Sequence, residues 1–255
     1  MHQYLDLGFG ILIPMYNLMI GIAIVSGIFA FEKEVFESKV KLKDYNKIHL
    51  SLIISITFSI LGAKAFETLY KNQLSLFMGK LLTSGFTYFG GLVSGGLCFY
   101  ITNFSMKINN KQTFNLCTPP LILSHGIGRI GCFFAGCCFG KPTESILGVS
   151  FPPNSIPAQR LGQALTLHPT QIYESIFLFF LYLFTAKFIP FNYRVSTYLL
   201  TYPCFRFCIE FLRGDFRGNI NSIPYISPSQ FISILLFCAG ILLFSMERDP
   251  KAHIA

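Results

Sequence analysis

The chain has 255 residues, of which 52% are hydrophobic and 13% charged, and its mean hydropathy is +0.54. A soluble domain carries about 25% charged residues, so the composition excludes an ordinary soluble protein and points to a polytopic membrane protein. The net charge of +8 lies in short loops between apolar runs, which fits topology control and anionic membrane lipid and argues against nucleic-acid binding.

Gaps between charges are repeatedly long enough for a bilayer-crossing helix of roughly 20 residues. They predict an all-α, multi-pass fold of about seven transmembrane helices. Residues 1–255 form one transmembrane helical domain, because no polar linker divides them. The first helix covers about Gly10 to Phe31 and carries Tyr16 and Asn17 near its start. It lacks a basic leader and a small-residue cleavage site, so it is expected to stay in the protein. A charged loop, Glu32 to Lys47, follows. The second helix, about Ile48 to Tyr70, holds Lys64 and Glu67 three apart; they can pair, or Lys64 can snorkel. The third, about Gly85 to Met106, carries Gly90, Gly91, Gly95 and Gly96, a spacing that lets membrane helices approach closely.

The fourth, about Pro119 to Phe139, overlaps the stretch on which the chain is centred, Ser124 to Thr143. Lys141 to His168 contains Pro142, Pro152, Pro153 and Pro157, so it reads as a loop rather than a helix. The fifth helix, about Thr170 to Phe188, starts after Pro169, with His168 or Thr170 as candidate caps. The sixth spans about Ser196 to Leu212 and the seventh about Ser227 to Met246. Eleven lysines and arginines fall in one alternating set of loops and six in the other. The positive-inside rule puts the N-terminus outside and the C-terminus in the cytoplasm, with Lys141 to His168, Arg213 and Arg217 outside.

Arg129 and Arg206 carry the chemistry. An arginine near a bilayer centre costs at least ~2.5 kcal/mol and faces a partner or a polar cavity. Arg206, Glu210 and Arg213 share one helix face. Arg129 has no acidic partner in its own helix, so two arginines with one acid predict excess positive charge. A guanidinium fork matches a phosphate, and the anionic-ligand reading stands ahead of a purely structural Arg206–Glu210 pair. Glycines around Arg129 let backbone come close to a ligand. Cys132, Cys137 and Cys138 admit three readings: apolar filler, a disulfide, or metal ligands with His125 or His168. C-x4-C-C is not a standard zinc spacing, and adjacent helical residues point about 100° apart, so filler or a reactive thiol is favoured and no metal is assigned.

YFGGL, GRIGCFFAGCCFG, LHPTQIYES and FRFCIEFLR resemble, in order along the chain, four motifs of bacterial prolipoprotein diacylglyceryl transferases, and Tyr16 falls where that family has a tyrosine. The resemblance spans nearly the whole chain. It implies transfer of diacylglyceryl from phosphatidylglycerol to the cysteine thiol of a prolipoprotein lipobox peptide, with no cofactor, in the bacterial cytoplasmic (inner) membrane. Arg129 and Arg206 would hold the headgroup and Glu210 would orient Arg206. Arg213 would stand at the outer mouth, and Tyr16, Gly140, His168 and Tyr173 would complete the substrate site. The departures are Phe89 for the family's histidine, a proposed base, Cys132 and Ala135 for its asparagines, and Cys137 for its glutamate. With Phe89 unable to take a proton, His125, one turn from Arg129, is the surrogate base. A membrane transferase with another acceptor, or a non-catalytic anionic-lipid-binding relative, is the alternative.

Overall fold

The computed structural model describes residues 4–6, 8, 12–38, 42–70, 88–215 and 226–248, and these are mostly helical. A short antiparallel hairpin, β1 (Tyr4–Asp6) with β2 (Leu12–Pro14), leads directly into α1 (Met15–Glu37). Then come α2 (Leu42–Tyr70), α3 (Tyr88–Ser105) and α4 (Asn110–Ala135). Three described helices are long and apolar enough to cross a membrane: Met15–Glu37, Asp44–Phe66 and Pro228–Arg248.

Several boundaries differ from the sequence expectation. Much of the charged stretch Glu32 to Lys47 is helical, because it contains no glycine or proline and its Glu and Lys residues are good helix formers. α4 starts nine residues before Pro119. Asn109 caps it, its side-chain oxygen accepting from Gln112 N at 3.0 Å, and the helix carries Pro119 and Pro120 inside. The Pro-rich excursion is more ordered than a plain loop. β3 (Val149–Ser150) pairs with β4 (Thr166–Leu167), and between them lies α5 (Ile156–Leu161), capped by Ser155 and ended by Gly162 at φ 72°. The chain continues as α6 (Thr170–Lys187), α7 (Arg194–Ile209), a 3-10 turn Glu210–Leu212, and α8 (Pro228–Arg248).

The chain clusters as two compact units, residues 1–34 with 115–255, and residues 35–114. In the smaller unit, α2 and α3 meet through small residues. A Cβ at Gly90 would lie 2.6 Å from Phe66 Cβ, and one at Gly95 2.8 Å from Ser59 Cβ. Ser59 Oγ donates to Gly91 O at 2.9 Å, and Ser51 and Thr102 hydroxyls meet at 2.6 Å. Association in lipid lacks a hydrophobic driving force, so close packing and such polar contacts hold the pair. The Lys64–Glu67 pairing falls partly outside the described residues, as does the Phe89 side chain.

In the larger unit, Ile122, Leu178, Leu181, Tyr198 and Tyr202 form a buried cluster that joins α4, α6 and α7. Gly27 of α1 backs onto Ser124 of α4, whose Oγ donates to Ala23 O at 2.9 Å. Ser175 Oγ donates to Gly126 O at 2.8 Å. Gly240 of α8 lies against Leu199, where a Cβ would be 3.0 Å from the neighbouring backbone. Buried charges are paired: Arg194 with Glu34, and Glu247 with the Ser196 hydroxyl. The polar residues of α4, α6 and α7 therefore sit in a fixed frame.

Candidate active site

α4 ends at Ala135 in a defined cap. Gly136 adopts φ 70°, its N–H bonds Phe133 O at 3.0 Å, and Cys137 N bonds Cys132 O at 3.2 Å. This is the Schellman arrangement, which closes the last free carbonyls of a helix. The turn folds Cys137 and Cys138 back on the helix end. Cys138 is held at φ 63°, a left-handed conformation that costs a residue with a Cβ of order 1–3 kcal/mol. Two side chains of α6 pin it: Thr170 Oγ1 donates to Cys138 O at 2.7 Å and Gln171 Nε2 to Cys137 O at 2.6 Å. Neither His168 nor Thr170 caps α6; the N-cap is Pro169, with no side-chain bond, because the Thr170 hydroxyl is spent on the turn.

Beyond the turn, three distant segments are stitched by backbone. Gly140 N bonds His168 O at 2.9 Å, Lys141 N bonds Leu212 O at 2.8 Å, His168 N bonds Lys141 O at 3.0 Å, and Gly214 N bonds Phe139 O at 3.0 Å. Gly140 is required by this crowding, since a Cβ there would lie 2.5 Å from His168 O and 2.9 Å from Leu212 O. Arg213 opposes Gly140 in an antiparallel bridge.

The buried charges lie behind this clasp. Arg129 of α4 pairs with Glu174 of α6, Nη2 to Oε1, at 3.0 Å. Tyr202 OH of α7 donates to the same Oε1 at 2.8 Å. His125 Nε2 is 3.9 Å from that oxygen, and its ring meets Tyr202 edge-on with centroids 5.0 Å apart. Arg206 Nη1 pairs with Glu210 Oε2 at 2.7 Å, and its Nη2 donates to Ser229 Oγ of α8 at 3.2 Å. Arg213 reaches Glu210 at 3.7 Å and grips Asp215 with two nitrogens at 2.7–2.9 Å. Arg129, Arg206 and Glu174 are 8%, 2% and 2% exposed. A buried ion survives only with partners, and removing one partner costs about 3–5 kcal/mol.

The expected excess of positive charge is therefore corrected. Glu174 and Asp215 join Glu210, so three guanidiniums face three carboxylates among the described residues. Glu174 was missed as a functional candidate because its partner is on another helix, and helical spacing reveals only pairs within one helix. Its position in LHPTQIYES, next to Tyr173, was the available signal. Tyr173 OH lies 3.3 Å from His168 Nδ1. Tyr16 packs beside Gly131, where an added Cβ would lie 3.5 Å from its ring.

The sulfurs of Cys132, Cys137 and Cys138 all lie within 4.8 Å of one another, and no disulfide joins them. The expected divergence of Cys137 and Cys138 holds only on a helix. Here α4 has already ended, and the turn brings both to Cys132. Arg129 Nη1 lies 4.0 Å from Cys138 Sγ, which joins this cluster to the buried ion pairs.

A family model described as prolipoprotein diacylglyceryl transferase matches residues 4–246. A Clostridium tetani (strain Massachusetts / E88) protein named phosphatidylglycerol–prolipoprotein diacylglyceryl transferase is 34% identical over 255 residues, covering 95% of this chain and 96% of its own. A second so named, from Clostridium perfringens (strain 13 / Type A), is 34% identical over 94% of this chain and 93% of its own length. A third, from Prochlorococcus marinus (strain MIT 9215), is 31% identical over 94% and 89%.

Proposed function

The chain belongs to the prolipoprotein diacylglyceryl transferase family, and from that premise we propose that it moves the diacylglyceryl group of phosphatidylglycerol onto the thiol of a prolipoprotein lipobox cysteine. The bond from the glyceryl carbon to phosphate oxygen breaks, a carbon–sulfur bond forms, glycerol phosphate leaves, and the thiol proton passes to a base. Charge grows on the departing phosphate. Fixed donors aimed at developing charge in a water-poor site are usually the largest single contribution to an enzyme's rate.

The observation that carries this reading is the pair of buried arginines, each held by a carboxylate: Arg129 by Glu174 and Arg206 by Glu210. A guanidinium has five N–H donors, so one edge can be held by acid while another binds phosphate oxygens. Glu210 and Glu174 orient the two arginines, and Arg213 stands at the outer mouth. Tyr16, Gly140, His168 and Tyr173 shape the substrate site. His125, beside Glu174 and Tyr202, takes the thiol proton in place of the residue that Phe89 replaces.

The same reading makes the chain a single domain of about seven spanning helices in the bacterial cytoplasmic membrane, with its N-terminus outside. Three described helices of spanning length and the eleven-to-six basic asymmetry support it. The test is direct. Purified protein, phosphatidylglycerol labelled in its acyl chains and a lipobox peptide should yield labelled thioether peptide. Absence of that product, with the same peptide modified by one of the relatives, would sink the assignment.

A further inference from the structure

We propose that Cys132, Cys137 and Cys138 form a three-thiolate site for a thiophilic divalent ion of the zinc class. Their sulfurs already lie within 4.8 Å of one another. Zinc–sulfur bonds of about 2.3 Å in a tetrahedron place the sulfurs roughly 3.8 Å apart, so a shift of about an ångström closes the set. Three protein ligands leave a fourth position open, the pattern of zinc sites that bind an exchangeable group.

The sequence builds this site through its turn. Cys132 lies in the last turn of α4, Gly136 reverses the chain, and Cys137 and Cys138 return beside it. Cys138 is kept left-handed by the bond from Thr170, so its position is enforced from another helix. A strained residue maintained by its surroundings is a pointer to function. Thiolate sulfur is the donor that selects zinc and copper(I) over harder ions. Three thiolates and one dication carry a net negative charge, and Arg129, 4.0 Å from Cys138 Sγ, offsets it. Cys132 and Cys137 are partly buried and Cys138 is buried, so an ion would enter past the first two. His125 and His168 are not needed as ligands; they face Glu174 and Tyr173. The site does not depend on the transferase reading, because no substrate of that reaction enters the argument.

The experiment uses the full chain in detergent, purified reduced and without oxygen, and stripped with a chelator. Cobalt(II) is the probe, since sulfur-bound cobalt has an intense near-ultraviolet charge-transfer band. One cobalt per chain should bind, and zinc should bleach the band. Cys132→Ser, Cys137→Ser and Cys138→Ser should each lose it, and Cys238→Ser, at an exposed position of α8, should keep it. A second measurement needs no variant: zinc should protect three of the eight cysteines of the wild-type chain from alkylation. A cobalt band that persists in Cys137→Ser, absence of thiol protection, or a disulfide among the three in anaerobically purified protein would each overturn the proposal.

Discussion

Arg206 divides its nitrogens between Glu210 on its own helix and Ser229 on α8. A lysine there keeps the charge but presents a point rather than a planar fork. Arg206→Lys and Arg129→Lys should therefore retain only part of the turnover. The alanine variants should lose about 10²- to 10³-fold, the scale seen when one charge-stabilising donor is removed. Steady-state kinetics with labelled phosphatidylglycerol measure this, and full activity in Arg206→Lys would refute the phosphate fork. His125 is buried beside Glu174 and Tyr202. As the base, its change to Gln should depress the rate at neutral pH and recover part of it at high pH, where the acceptor thiol ionises unaided near pKa about 8.5. An unchanged pH–rate profile removes His125 from the reaction. The arginines were legible in the sequence because a charge inside a long apolar run is expensive to bury. Glu174 was not, because its significance lies in a contact with another helix.

Helix pairing is the scale at which sequence spoke most clearly for α2 and α3. Gly90, Gly91 and Gly95 are among the residues that face α2, as small-residue spacing implies. Among the described residues, Gly96 has nothing within 4 Å of where its Cβ would be. Gly95→Leu should therefore destabilise the α2–α3 pair by about 1–3 kcal/mol through overpacking, and Gly96→Leu should be close to neutral. Thermal unfolding of the two variants in one detergent checks this, and equal melting temperatures would contradict the packing described. The end of α4 was less legible. The centred stretch has glycines at 126, 128, 131, 136 and 140, and each is a possible stop. Only Gly136 of these takes a positive φ. The choice is made by Thr170 and Gln171, which hold the turn from α6 and are far away in sequence.

Across the whole molecule, the eleven-to-six division of basic residues predicts an orientation, whereas nothing in the composition marks the division into two compact units. With the N-terminus outside, a cysteine at Asn154 in the β3–α5 connection should react with an impermeant thiol reagent in intact cells. One at Lys41, a position outside the described residues, should react only after lysis. Both are placed on a chain lacking native thiols, and the reverse pattern would invert the topology. The backbone clasp at Gly140 bears on how such a site can diverge. Its bonds run between amides and carbonyls of Phe139–Lys141, His168 and Leu212–Gly214, so they are indifferent to most side chains. Glycines at 140 and 214 are the exceptions, since a Cβ at either would strike neighbouring backbone. A scaffold specified by peptide groups lets its lining be rewritten piecemeal without losing its shape. Cysteines can then enter where amides or carboxylates would serve another chemistry, and the inherited frame remains open to new ligands.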